Sequence, residues 1–99
     1  MESIQVYKVT LFPTAQCDLV DIIFRPDPPD PEGTERVFEA IGSLASAPES
    51  FAFTKDTQLR LRGYRVLPVE NHVAIYVING DTVELRRILF AKRQFEHLL

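Results

Sequence analysis

Apolar and polar residues alternate from Gln5 to Leu11, with Tyr7, Val9 and Leu11 on one face and Val6, Lys8 and Thr10 on the other. Period two in a branched, aromatic run predicts a β-strand. Pro13 ends it and suits the first turn of a helix, where its missing N–H has no partner to lose. Ala15, Leu19, Ile22 and Ile23 then recur at helical spacing, with Gln16, Asp18 and Asp21 left on the surface. This predicts an amphipathic helix over Thr14 to Phe24. Cys17 rides on it as a small, semi-apolar helix residue.

The prolines of RPDPPDPEG, Arg25 to Gly33, exclude helix and sheet and predict a rigid turn between two helices. Asp30 is placed to cap the second helix, with Pro31 at its first position. Val37, Phe38, Ile41, Leu44 and Ala45 form the apolar stripe, and Pro48 stops it. Glu49 to Leu59 has no clear period and is expected to cross back over the surface. Three strands follow: Tyr64 to Val69, the almost wholly apolar and therefore central His72 to Ile78, and Thr82 to Phe90. Asn79-Gly80 marks the hairpin between the last two, since both residues tolerate positive φ. Lys92 to Leu99 is expected to close the chain with a helical turn or two. The pattern predicts one α+β domain over residues 1–99: a small antiparallel sheet, in the order strand-helix-helix-strand-strand-strand, with a helical hairpin packed on one face.

Charge divides the chain. Residues 1–54 hold three basic side chains (Lys8, Arg25, Arg36) against nine acidic ones, and residues 55–99 hold eight against five, within a net charge of -3. The C-terminal sheet is therefore the basic part, compatible with a nucleic-acid or acidic-peptide partner. The plainer alternative is arginines decorating an exposed sheet face. A chain that is 45% hydrophobic and 25% charged is ordinary for a soluble globular protein. No stretch approaches the roughly 20 apolar residues of a membrane span, and no signal-peptide pattern opens the sequence. The single cysteine, Cys17, neither staples the chain nor builds a metal site alone.

Motifs for nucleotide hydrolysis, an esterase elbow or zinc chemistry do not occur, and no cofactor is implied. His72 borders a turn and reads as a polar strand end. His97 is the one histidine placed to move a proton on a ribose hydroxyl, against the simpler reading of an exposed terminal residue. The arginines form the remaining constellation. Arg60 and Arg62 share a face if the strand begins early, with Arg65 on the opposite one. Arg87 and Arg93 converge if the chain turns back after the last strand. Guanidinium groups bind phosphate bidentately and stabilise charge that develops in phosphodiester cleavage.

The first strand followed by PTAQCDLVDII, then SLASAPES, LRLRGYRVLPV, HVAIYVINGDTVELRRIL and KRQFEHLL, resembles the RelE/ParE superfamily of type II toxin–antitoxin toxins in order and spacing. The resemblance implies a cytoplasmic toxin, associated with growth inhibition and plasmid stabilization, held inactive by a cognate antitoxin. RelE-like members cleave mRNA on the ribosome with basic residues that correspond to Arg65 and Arg93, helped by Arg60 or Arg62, with His97 as the proton carrier here. ParE-like members act on DNA gyrase by binding it. The GYR strand and the terminal R-x-x-x-x-L-L pattern place this chain on the ParE side. Alternatives are a ribosome-dependent endoribonuclease and a non-toxic, toxin-derived partner-binding domain. Val77 stands where an arginine often follows the aromatic pair, Arg86 where an apolar residue is usual, and no tyrosine follows Arg93. Arg60, Arg62, Arg65, Arg87 and Arg93 are the expected contacts for target or antitoxin, with antitoxin carboxylates facing Arg65 and Arg87.

Overall fold

The computed structural model describes residues 6–24, 30–69 and 71–90. Its elements run β1 (Lys8–Leu11), α1 (Pro13–Phe24), α2 (Pro31–Ser43), a 3₁₀ turn (Pro48–Ser50), α3 (Thr57–Leu61), β2 (Arg65–Val69), β3 (His72–Asn79) and β4 (Thr82–Phe90). Both long helices start as predicted, but α2 ends at Ser43 with Leu44 as its cap, ahead of Pro48, which opens the 3₁₀ turn instead of stopping the helix, and Phe38 of the predicted apolar stripe stays exposed. Pro31 opens α2, and the Asp30 carboxylate accepts the Gly33 N–H at 3.0 Å. Gly33 makes this cap possible, because a Cβ there would lie 2.2 Å from the Asp30 carboxylate.

The four strands form one sheet in the order β1-β4-β3-β2. β2, β3 and β4 make the expected antiparallel meander, with Val66 opposite Ile75 and Ala74 opposite Ile88. β1 instead pairs parallel with β4, Val9 beside Val83 and Leu11 beside Leu85, so the sheet is mixed. The parallel pairing follows from the connection: two helices separate β1 from the meander, long enough to return the chain to the same end of the sheet. The β3–β4 turn also sits one residue later than the sequence suggests. Asn79 pairs with Thr82, so Gly80 and Asp81 are the central residues, and Gly80 takes the positive φ of 64°.

One sheet face carries the main core. Ala74 and Tyr76 of β3, Leu67 and Val69 of β2, and Val83, Leu85 and Ile88 of β4 pack with Ala15, Val37, Ile41 and Leu44 of the helical layer. Tyr76 is fully buried and donates its hydroxyl to the Pro48 carbonyl, which anchors the 3₁₀ turn to the sheet centre. The opposite face of β3 is also partly covered. Ile75 is fully buried, and a Cβ on Gly63 would meet Val77 at 3.5 Å.

The expectation of an irregular crossing from Glu49 to Leu59 holds only in part. Phe53 bridges Arg65, with Thr54 N–H donating to Tyr64 O and Val66 N–H to Ala52 O, so this segment lengthens the β2 edge. α3 follows, capped by the Asp56 carboxylate on the Leu59 N–H. Gly63, at φ 86°, ends it: Gly63 N–H bonds Arg60 O and Tyr64 N–H bonds Leu59 O. That pair of bonds is the Schellman arrangement, which needs a left-handed residue at this position. Helical periodicity cannot reveal five residues, whereas the glycine stop could have.

β1 ends opposite Leu85, so among the described residues no strand pairs with the outer edge of residues 86–90, more than half of β4. A β-bulge coincides with the change. Ile75 pairs Arg87 and Tyr76 pairs Leu85, so Arg86 is the extra residue. α1 covers what β1 does not: Thr14 Oγ1 donates to the Arg86 carbonyl at 3.0 Å, and the Ile88 N–H donates to Asp18 Oδ2 at 2.9 Å. The same carboxylate takes Arg87 through Nε at 2.7 Å and Nη2 at 3.0 Å. Replacing Asp18 with alanine orphans the Ile88 N–H and removes the bidentate partner of Arg87, at a cost of about 2–3 kcal/mol. Urea unfolding of Asp18→Ala, Arg87→Ala and the double variant should show losses that fall well short of additive, since both singles remove one interaction.

Candidate functional site

Among the described residues the arginine-rich second half does not present a continuous basic sheet, and each cation expected to face a partner there occupies its own environment. Arg65 begins β2 and turns back onto the preceding segment: its Nη1 donates to the carbonyls of Glu49 at 3.2 Å and Phe51 at 2.7 Å, and its guanidinium lies 3.9 Å from the Phe53 ring centroid. Two tyrosines hold the same turn. Tyr76 binds the Pro48 carbonyl, and Tyr7 donates its hydroxyl to the Glu49 carboxylate. The acceptor carboxylate raises the Tyr7 pKa, and burial pushes Tyr76 up to about 12 despite the opposing charge of Arg65. Both hydroxyls therefore remain protonated donors through the physiological range. Arg65 is thus the third strut of a clamp on residues 48–53.

Arg87 is held by Asp18, which raises the guanidinium pKa further through its hydrogen bonds. Arg86 stacks 4.0 Å from the Phe12 ring centroid, reaches the Tyr64 hydroxyl at 3.4 Å and pairs with Glu84 at 3.0 Å. Hydrogen bonds from Arg86 and Asn79 depress the Glu84 pKa. This explains a charged residue at an unusual place: the bulge turns Arg86 towards two aromatic rings and a carboxylate rather than into an apolar layer.

Arg60 and Arg62 do not share a strand face, because no strand has begun. Arg60 lies in α3 and Arg62 is its C-terminal cap. Both are exposed, as are Lys55 before the helix and Leu61, whose exposure is 82%. Arg93 and His97 lie outside the described residues, as does the expected closing helix. A cleft of about 580 Å³ opens between α1, the start of α2 and the ends of β3 and β4. Asp18, Asp21 and Asp30 line it together with His72, Arg87 and Phe90, so its rim is mainly acidic. His72 packs edge-on against Phe90, centroids 5.5 Å apart, and burial lowers its pKa. Among the described residues no group of three potential metal ligands comes together, and no described helix is long and apolar enough to cross a membrane.

The functional reading therefore sorts the arginines by what already holds them. Asp18, Glu49 and the rings of Phe12, Phe53 and Tyr64 are the residues that sequence reasoning missed. Each reads as an ordinary surface or core position until the fold brings it to its cation. Only Arg60 and Arg62, of the described arginines singled out from sequence, are left facing solvent.

Arg65→Ala should lower stability by roughly 2 kcal/mol, from two lost carbonyl bonds and one ring contact. Arg65→Lys should recover part of that, since it keeps the charge but not the planar stack. Thermal unfolding of both variants checks this, and any loss of activity in Arg65→Ala must be read against it. The lowered His72 pKa has a signed consequence. The unfolded chain takes up a proton near pH 6.5 that the folded chain resists, so stability falls as pH drops through 6.5 and further until the folded histidine titrates. His72→Gln should flatten the unfolding midpoint between pH 7.5 and about 5.5.

Comparison with known proteins agrees with this fold. A chain from the chromosomal ParDE toxin–antitoxin system of P. aeruginosa superposes with a TM-score of 0.66 at 16% identity, over 89% of this chain and 99% of that one. A chain of the RelBE2 toxin–antitoxin complex from Mycobacterium tuberculosis gives 0.63 at 22% identity, over 86% and 98%. No curated protein matches the sequence. The family model described as the ParE toxin of the type II toxin–antitoxin system parDE matches residues 9–95. With that match covering most of its length, the chain belongs to the ParE toxin family of type II toxin–antitoxin systems, within the RelE/ParE superfamily.

Proposed function

We propose that this chain arrests growth in the cytoplasm by binding DNA gyrase, and that a cognate antitoxin neutralises it by covering its surface. Membership of the ParE family supports a toxin of a toxin–antitoxin pair. The observation that favours binding over cleavage is the state of Arg65. An arginine that stabilises a scissile phosphate must present its donors to it, preorganised and free. Arg65 instead spends Nη1 on two backbone carbonyls and its ring-facing surface on Phe53. Freeing it would release the 48–53 turn that it holds.

Purified protein in stoichiometric excess should block supercoiling by gyrase, and addition of the antitoxin should restore it. Undisturbed supercoiling, together with cleavage of mRNA on ribosomes, would reverse the assignment in favour of nuclease action.

A further inference from the structure

Among the described residues, three cations are paired with carboxylates and a fourth is engaged by backbone carbonyls. Arg86 pairs with Glu84, Arg87 with Asp18 and Arg36 with Glu32, and Arg65 is spent on carbonyls. Among the described residues, Lys55, Arg60 and Arg62 make no side-chain hydrogen bond or ion pair, and neither does the isolated Lys8 on β1. The first three fall within eight residues of sequence, around a helix about 7.5 Å long. The one acid beside them, Asp56, has its carboxylate on the Leu59 N–H. Between the cations stands Leu61, 82% exposed and the most exposed of the large apolar side chains described. Leu59 faces inward at 8% exposure. Leu61, two positions on and about 200° round the helix, therefore points outward.

We propose that the exposed surface around α3, to which Lys55, Arg60, Leu61 and Arg62 contribute, is the docking surface for an acidic segment of the antitoxin that carries an apolar anchor for Leu61. This inference rests on the toxin–antitoxin reading and moves the contact away from Arg65, whose Nη1 is engaged by backbone carbonyls, and Arg87, which is paired with Asp18. The surface is preorganised. Asp56 caps one end of α3, the Gly63 turn locks the other, and the clamp of Tyr7, Tyr76 and Arg65 fixes the segment leading into it. Arg60 and Arg62 flank Leu61 at about 100° to either side round the helix, and exposed cations beside an apolar side chain have the layout of an interface core with a charged rim.

Charge decides between occupants. A second copy related by a two-fold axis would set the same three cations against each other, which disfavours self-association here. Nucleic acid would gain only a small local positive charge from a chain of net charge -3, and a phosphate backbone offers nothing to cover Leu61. An acidic, amphipathic peptide satisfies both the cations and the leucine.

The test uses the full chain and the product of the adjacent small reading frame, with affinity measured by calorimetry in roughly 0.1 M salt and again at about 0.5 M. Arg60→Glu/Arg62→Glu and Leu61→Asp should each weaken the complex about tenfold or more. Higher salt should weaken the parent complex as well, while Lys8→Glu, a charge reversal away from α3, should bind as the parent does. All these positions are exposed, so unfolding midpoints should not move. Unchanged affinity in both α3 variants would overturn the docking site while leaving the toxin reading intact. Loss of gyrase inhibition without loss of antitoxin affinity would assign the surface to the target and overturn it equally. Absence of any complex with the parent protein would remove the toxin–antitoxin reading and this proposal with it.

Discussion

One carboxylate holds the two layers of this protein in register. The sheet is left incomplete by its own topology: β1 is only four residues long and covers β4 as far as Leu85. Beyond that point a strand edge and an arginine lie exposed to whatever comes next. Asp18 on α1 takes both, the Ile88 N–H and the Arg87 guanidinium, with 13% of its side chain exposed. An open strand edge invites intermolecular pairing, and here α1 covers it, with Asp18 on the Ile88 N–H and Thr14 on the Arg86 carbonyl. The position of α1 over β4, and through it the cleft and the start of α2, follows from that contact.

The second constraint is the clamp on the turn at Pro48–Ser50. Two tyrosine hydroxyls and one guanidinium converge on a stretch with little regular structure of its own. Backbone carbonyls in such a turn must find donors, and Arg65 of β2 and Tyr76 of β3 supply them, while Tyr7, just before β1, holds the Glu49 carboxylate. The consequence is functional. α3 and its free cations are carried on a segment fixed at both ends, so a short helix that would not survive alone becomes a rigid platform. In this family member arginine serves two distinct purposes, internal strut and external contact. Sequence position does not distinguish them; the presence or absence of an internal partner does.

How far the sequence could be read varies with the range of the interaction concerned. Both long helices, the Asp30 cap, the meander and the family were legible, because each depends on periodicity, on caps within a few residues, or on an ordered set of short motifs. β4 spans Thr82–Phe90 as expected, and β3 and β2 differ only at an end. α3 escaped because five residues carry no period, although Gly63 marked its stop. The direction of β1 escaped because strand pairing across some seventy residues leaves no local trace.

The candidate site divides along the same line. That arginines cluster in the second half is a property of the sequence. Whether Arg65, Arg86 and Arg87 are available is decided by Glu49, Phe53, Phe12, Glu84 and Asp18, of which only Glu84 lies within a few residues of its partner. By itself the sequence determined the elements, their order and the family, since these rest on short-range backbone preferences and the spacing of apolar positions. Only the tertiary structure decided which charges meet a partner inside the fold and which face solvent. Ion pairing and desolvation act through space between residues up to about 70 positions apart, and nothing local in the chain encodes that proximity.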